Sequence, residues 1–182
     1  MKYWIGQIIG LVAAATDIFI PQFKEKWQML AGNLLVNILL GLNLVFLERI
    51  GSGIFLFMVA VVQTVVNLVH TLSQTEPKKW ELPLFFCLFV GLGFFGLVTA
   101  PGFVPQINRQ NLLELLPILG AVFSMCFVAA REEYKARKFL LACNLTWATY
   151  NGIIGSTSFF GVFFSSISCM IAIWRNRKRK KG

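Results

Sequence analysis

An acid and a proline share one apolar stretch near the start of the chain, TDIFIPQ (16–22). Asp17 is the only charged residue between Lys2 and Lys24, and Pro21 follows it by four positions. In a helix, Pro21 has no N–H group to donate to the carbonyl oxygen of Asp17, so this oxygen needs another donor. A carboxyl group in such a segment normally faces the protein interior or a wet cavity. It could bind solute hydroxyl groups or carry a proton, or it could be a structural carboxyl satisfied by neighbouring polar groups.

Pro117 gives a weaker version of the same arrangement in a later apolar segment, where it frees the carbonyl oxygen of Leu113. Pro21 and Pro117 are therefore candidate hinges, on which two halves of the protein could rock around a central site. The simpler alternative is that Pro21 only ends its helix beside the charged residues that follow it.

Amide, hydroxyl and indole side chains interrupt the other apolar segments. Amides in such helices often join neighbouring helices through hydrogen bonds, and this is one interpretation of each of them. Together they could also line a pocket for a small polar solute, with the indole ring of Trp147 as a flat wall. The candidate solute-binding residues are Asp17, Asn33, Asn67, Asn144, Trp147 and Ser165.

The remaining reactive residue types form no pattern that supports catalysis or metal binding. His70 is the single histidine, and one histidine without clustered acids or cysteines makes neither a triad nor a metal site. GLGFFG (91–96) matches a dinucleotide-binding fingerprint, but it lies inside a helix, where close helix packing explains its glycines better. The four cysteines lie in apolar segments without a C-x-x-C pair. We expect no cofactor, no metal and no enzymatic activity.

The composition indicates which elements must position these residues. Hydrophobic residues make up 57% of the 182 residues and charged residues only 14%, which is too apolar for a soluble domain. Several stretches reach the length of about 20 residues that a spanning helix needs, and they lack the alternation of barrel strands. The sequence therefore predicts an all-α membrane protein in a lipid bilayer. The seven predicted transmembrane helices are Trp4–Gln22, Trp27–Leu47, Ile50–Leu72, Leu82–Ala100, Asn111–Ala130, Phe139–Gly155 and Ser156–Trp174.

Basic residues are distributed unevenly between the predicted connections. If the N-terminus lies outside, 14 of the 17 Lys and Arg residues fall on the cytoplasmic side, including six in the tail WRNRKRKKG. The positive-inside rule therefore predicts an outside N-terminus and a cytoplasmic C-terminus. The same distribution explains the net charge of +9 without a nucleic-acid partner, because the basic residues lie in short loops and the tail.

Two segments of the chain resemble each other. GNLLVNILLG (32–41) aligns with CNLTWATYNG (143–152), so that Asn33 matches Asn144. Each would be the second helix of a three-helix group and follows a charged loop. This predicts two parallel three-helix repeats joined by a linker helix, a 3+1+3 arrangement with an axis along the membrane normal. The predicted boundaries are 1–74 for the first repeat, 75–110 for the linker helix and its loops, 111–174 for the second repeat and 175–182 for the cytoplasmic tail.

Three stretches resemble the YgjV family of bacterial inner-membrane proteins: GQIIG near the start, ELLPILGAVFS (114–124) and GSTSFFGVFFSSISCMIAIWR (155–175). This resemblance covers nearly the whole chain and implies a location in the bacterial inner membrane. ELLPILG is its most specific part.

The 3+1+3 arrangement, with Pro21-Gln22 near the end of the first helix, also looks like the PQ-loop and SWEET (MtN3-like) transporter group. That resemblance implies that Asn67 and Trp147 line a sugar site. The chain departs from the pattern on its seventh helix, which offers serines, Ser165 among them, where SWEET proteins place another asparagine.

These features predict a small-solute transporter or facilitator that works by alternating access between its two halves. The alternative is a non-transporting membrane scaffold or sensor that binds a protein or lipid partner. Assembly into a homo-oligomer is compatible with either function.

Overall fold

The computed structural model describes residues 2–46, 52–99, 109–154 and 158–179, and within these ranges the regular structure is entirely helical. The predicted number of seven long helices is confirmed for this part of the chain. Residues 1, 47–51, 100–108, 155–157 and 180–182, which include parts of the predicted linker loops and tail, lie outside the described residues. The elements are α1 (Lys2–Phe19), a 3-10 turn (Ile20–Gln22), α2 (Lys26–Phe46), α3 (Ser52–Leu72), α4 (Glu81–Thr99), α5 (Arg109–Ala129), α6 (Glu133–Ile154) and α7 (Ser158–Arg179).

The largest boundary difference from the sequence prediction is at α6. This helix begins at Glu133 rather than at the predicted Phe139. The segment EYKARK was predicted as a loop because of its charges. However, it contains neither glycine nor proline and consists mainly of good helix formers, so the helix extends through it.

Within the described ranges, five helical segments are long and apolar enough to cross a membrane. They are Lys2–Gln22, Lys26–Phe46, Ile54–Leu72, Glu81–Thr99 and Ser158–Arg175. α5 contains a shorter apolar stretch, Leu115–Ala129, and the first turns of α6 are charged. Large apolar side chains such as Trp4 and Leu11 face outward, with 70% and 68% of their surface exposed. Such an outer surface fits a lipid environment.

The helices pack side by side around a ring. In order, α1 packs on α2, α2 on α3, α3 on α5, α5 on α6, α6 on α7, and α7 again on α1. α4 lies outside this ring, against α3 and α5. The first three helices therefore meet the last three at two boundaries, α3–α5 and α7–α1.

Two apolar clusters fill the space between the helices. One joins the end of α1 and the start of α2 to α5, α6 and α7, and its buried members include Met29, Phe127 and Cys169. The other lies between α3, α4 and α5 and includes Phe89 and Ile118. These two clusters pack the helices against one another around the buried polar side chains of the bundle.

Candidate functional site

A cavity of about 300 Å³ lies at one end of the bundle, between α2, α3 and α5 and beside the connection from α3 to α4. Its volume is at the lower end of the range of roughly 300–1,000 Å³ for small-molecule sites. Both neutral polar and charged side chains contribute to its wall. They include Lys26, Asn67, His70, Thr71, Glu76 and Arg131.

The connection beside the cavity is fixed by the way α3 ends. The N–H group of Thr75 donates to the carbonyl oxygen of His70 at 3.0 Å, and Gln74 has a φ of 52°, where glycine is more usual. This is the Schellman arrangement of a helix C-terminus. The His70 ring lies 2.7 Å from the Thr75 hydroxyl and 3.1 Å from the Glu81 carboxylate. These contacts join the end of α3 to the start of α4.

Lys26, the first residue of α2, places an ammonium group in the cavity wall. This group donates a hydrogen bond to the carbonyl oxygen of Phe127 at 2.7 Å and lies 4.6 Å from the centre of the Phe127 ring. A cation over an aromatic face is stabilised by the ring quadrupole. Lys26 therefore connects the start of α2 to the end of α5.

Buried polar groups lie behind Asn67, one helical turn further inside the bundle. Asn67 donates to the carbonyl oxygen of Gln63 at 2.9 Å, and the side chains of Gln63 and Thr64 are almost completely buried. Asn33 on α2 donates to the Thr64 hydroxyl at 3.2 Å, and the Gln63 amide lies 3.5 Å from the Met125 carbonyl oxygen on α5. Within the described part of the chain, the Gln63 side-chain oxygen is buried without a hydrogen-bond partner. These groups lie further inside the bundle than Asn67, and they do not line the cavity.

A separate polar cluster joins α1, α6 and α7. Asn144 donates a hydrogen bond to the Ser165 hydroxyl at 2.7 Å, and this hydroxyl donates to the main-chain carbonyl oxygen of Asp17 at 3.1 Å. The predicted need for another donor at this carbonyl, which Pro21 frees, is therefore confirmed. The Asp17 carboxyl interacts with the same hydroxyl, and all three polar side chains are buried. They face the interior of the bundle.

Further bonds tie the end of α1 to α6 and α7. Gln22 donates to the Ser168 hydroxyl at 2.8 Å. Arg137, which is buried in α6, donates to the carbonyl oxygens of Pro21 at 3.2 Å and Phe23 at 3.0 Å. Carbonyl groups at the end of a helix lack helical partners, and the guanidinium group supplies the missing donors.

The structure separates two other candidate residues. Trp147 stacks on Phe57 with ring centres 5.4 Å apart, and its indole ring lies against Gly120. Phe57 and Asn67 are ten residues apart on α3, which corresponds to about 15 Å along a helix. Asn67 and Trp147 therefore do not meet in one cavity in this structure.

The two candidate hinge prolines occupy different environments. α1 ends at Phe19, and Pro21 lies in the 3-10 turn that follows it. Pro117 lies inside α5, which continues on both sides of it. Both prolines are fully buried. Their role as hinges stays a prediction.

Sequence analysis did not single out Lys26 and Arg137, because both were counted only as loop charges. A signal for Arg137 existed: it follows Glu133 by four positions, the spacing of an ion pair on a helix, and the two side chains lie 3.5 Å apart. For Lys26 the sequence gives only its place before the apolar residues of α2. Among the described residues, no three His, Cys, Asp or Glu side chains come together to hold a metal ion.

The residues of both the cavity and the buried polar cluster lie within the part of the chain that matches a known family. A family model described as a bacterial inner membrane protein, Imp-YgjV, matches residues 4–180. No curated protein and no solved structure matches the chain. The predicted resemblance to the YgjV family is thereby confirmed, whereas that to the PQ-loop and SWEET group stays a prediction. The chain belongs to the YgjV family of bacterial inner membrane proteins.

Proposed function

We propose that this protein is a transporter or facilitator for a small polar solute, and that it works by alternating access between α1–α3 and α5–α7, with α4 as the linker helix. The cavity is the observation that carries this proposal. It lies between α3 of the first group and α5 of the second, and Asn67 is part of its wall. One state of an alternating-access protein presents a site that is reached from one side only.

The hydrogen bonds inside the two groups support treating them as related halves. Asn33 on α2 donates to a hydroxyl on α3, and Asn144 on α6 donates to a hydroxyl on α7. These are the two asparagines that the sequence alignment pairs. In addition, α3 packs on α5 as α7 packs on α1, which is the pattern that a two-fold axis along the membrane normal produces.

The two boundaries between the halves differ in their polar contacts. The α7–α1 boundary is joined by the 3.1 Å bond from Ser165 to the Asp17 carbonyl and by the 2.8 Å bond from Gln22 to Ser168. The α3–α5 boundary contains the cavity and the longer 3.5 Å contact from Gln63 to the Met125 carbonyl. We infer that the solute passes the α3–α5 boundary and that Gln63 closes it in this state. The unpaired Gln63 oxygen then offers an acceptor to the solute when the boundary opens.

The distribution of basic residues favours a cavity that faces the cytoplasm. Lys26, at the start of α2, and Arg131, between α5 and α6, lie at the same end of the bundle as the cavity. The positive-inside rule assigns this end to the cytoplasmic side. In the proposed cycle, the structure therefore represents the inward-facing state, with the N-terminus outside.

Solute flux in liposomes tests this proposal. The full chain is reconstituted, and counterflow of labelled neutral sugars, amino acids and small organic anions is compared with empty liposomes. We expect accumulation of at least one of these solutes, with lower flux for Asn67→Leu and unchanged flux for Thr99→Val, whose exposed hydroxyl bonds only within α4. No movement of any solute by correctly folded protein would contradict the proposal.

A scaffold or sensor is the second candidate function, and the buried polar cluster favours it. Asn144, Ser165 and the Asp17 carbonyl satisfy one another through direct hydrogen bonds in the interior. Groups that are paired in this way stabilise one helix arrangement. Recovery of a stoichiometric protein or lipid partner on purification, without solute flux, would support this function instead.

A further inference from the structure

The charged side chains of the cavity wall do not balance one another. Two basic side chains, Lys26 and Arg131, line it together with the His70 ring and one carboxylate, Glu76. Glu76 is paired with Arg131, whose guanidinium group lies 3.1 Å away. Lys26 is therefore the basic side chain of the wall whose hydrogen bond, among the described residues, goes to a carbonyl oxygen instead of a carboxylate.

The other carboxylates near Lys26 and the cavity contact other side chains, and Glu25 accepts a hydrogen bond from the Trp27 indole. Glu81 lies 3.1 Å from the ring nitrogen of His70. Glu133, which acts on Lys26 through electrostatic attraction, lies 3.5 Å from Arg137. The direct contacts of Lys26 are a carbonyl oxygen and an aromatic ring, both of Phe127. Lys26 therefore complements an acceptor group on a ligand, and most strongly an anionic one.

Hydrogen-bond donors are available at the same place. An ammonium group has three hydrogens, and Lys26 uses one of them on the Phe127 carbonyl. The Asn67 amide has two hydrogens and uses one of them on the Gln63 carbonyl. Ammonium and amide hydrogens that converge on a small cavity suit carboxylate or phosphate oxygens, because charge-assisted hydrogen bonds are stronger than neutral ones.

We propose that this cavity binds a carboxylate or phosphate group, with Lys26 as the main electrostatic contact and Asn67 as a second donor. This inference rests on the proposed function and narrows it, because it assigns small organic or inorganic anions as the solute class. A phospholipid headgroup offers the same chemistry at the end of a membrane bundle, so the test must separate the two sources.

Ligand-dependent thermal stability of the purified full chain provides the first measurement. The protein is placed in phosphatidylcholine nanodiscs and titrated with succinate, with its neutral analogue succinamide and with inorganic phosphate. We expect succinate or phosphate to raise the unfolding temperature in a saturable way, and succinamide to have no effect. Equal effects of succinate and succinamide would overturn the assignment, and so would the absence of any effect of succinate, phosphate and anionic lipid.

Variants locate the binding site. Lys26→Gln should weaken anion binding about tenfold or more, because it removes the charge that assists the hydrogen bond. Lys26→Arg should retain binding, and this rescue separates loss of charge from misfolding. Lys135→Gln is the matched control, because Lys135 is exposed, pairs with Glu132 and does not line the cavity. Undiminished binding in Lys26→Gln would overturn the proposal.

The remaining measurements distinguish a soluble anion from a lipid headgroup, and they test the anion site separately from transport. If only nanodiscs that contain phosphatidylglycerol stabilise the wild type, and Lys26→Gln abolishes this, the anion site stands and its ligand is a lipid headgroup. Anion binding without flux in liposomes would support the site and count against transport. Flux of a neutral solute without anion binding would support transport and overturn the anion site.

Discussion

Ser165 on α7 donates its hydroxyl hydrogen to the main-chain carbonyl oxygen of Asp17 on α1, across 3.1 Å. This carbonyl has no helical partner because Pro21, four residues later, lacks an N–H group. The same hydroxyl accepts a hydrogen bond from Asn144 at 2.7 Å. One side chain thus satisfies both a proline-freed carbonyl and a buried amide, and it connects three helices.

Replacement of Ser165 by alanine should therefore destabilise the protein by about 1–2 kcal/mol, because two buried polar groups lose their partner at once. The measurement is the free energy of unfolding in mixed micelles. Ser166→Ala is the matched control: this neighbouring hydroxyl is also buried, but it bonds only to the Val162 carbonyl of its own helix. Equal losses of stability in the two variants would show that the hydrogen bonds between helices at Ser165 add nothing to the free energy of unfolding.

The sequence alone allowed half of this relationship to be predicted. Pro21 and Asp17 are four residues apart, so the freed carbonyl follows from helix geometry. Its donor could not be predicted, because Ser165 is distant along the chain and approaches α1 only through the packing of α7. Similarly, the apolar lengths predicted seven helices, but the charges of EYKARK concealed the first turns of α6 and with them the buried position of Arg137.

The reactivity of an introduced cysteine should show from which side of the membrane the cavity can be reached. In a background without the native cysteines, Asn67→Cys should react readily with a membrane-impermeant maleimide in inverted vesicles and slowly in right-side-out vesicles. This expectation follows from the position of Asn67 in the cavity wall and from the predicted orientation.

Thr64→Cys is the control for depth, because Thr64 lies one turn further inside and is fully buried. It should react slowly from both sides. Fast labelling of Thr64→Cys in inverted vesicles would show that the cavity reaches further into the bundle in the membrane than it does in the structure. Faster labelling of Asn67→Cys from the periplasmic side would reverse the predicted orientation.

Asp17→Asn tests whether the buried carboxyl carries a proton during transport. An amide of nearly the same shape can still interact with the Ser165 hydroxyl, so the fold should persist. If Asp17 couples protons, solute flux should continue with a weaker dependence on pH. Glu132→Gln, which changes an exposed carboxylate, should keep the wild-type pH profile. An unchanged profile in Asp17→Asn would assign Asp17 to the structural role instead.

Close packing of α1 on α7 predicts a large cost for one glycine substitution. A Cβ atom at Gly161 would lie 2.7 Å from the Cα atom of Ala14, which is backbone and cannot move aside without separating the helices. Overpacking of this kind costs about 1–3 kcal/mol or more. Gly161→Ala should therefore lower the free energy of unfolding by at least about 1 kcal/mol.

Gly91 on α4 provides the matched control, because a Cβ atom there would meet nothing within 4 Å. Gly91→Ala makes the same chemical change in another helix and should be neutral or slightly stabilising, since alanine favours the helix by up to about 1 kcal/mol. If both variants unfold like the wild type, α1 and α7 must lie further apart in the membrane. The hydrogen bond from Ser165 to the Asp17 carbonyl would then lengthen as well, because the two contacts lie four residues apart along α7.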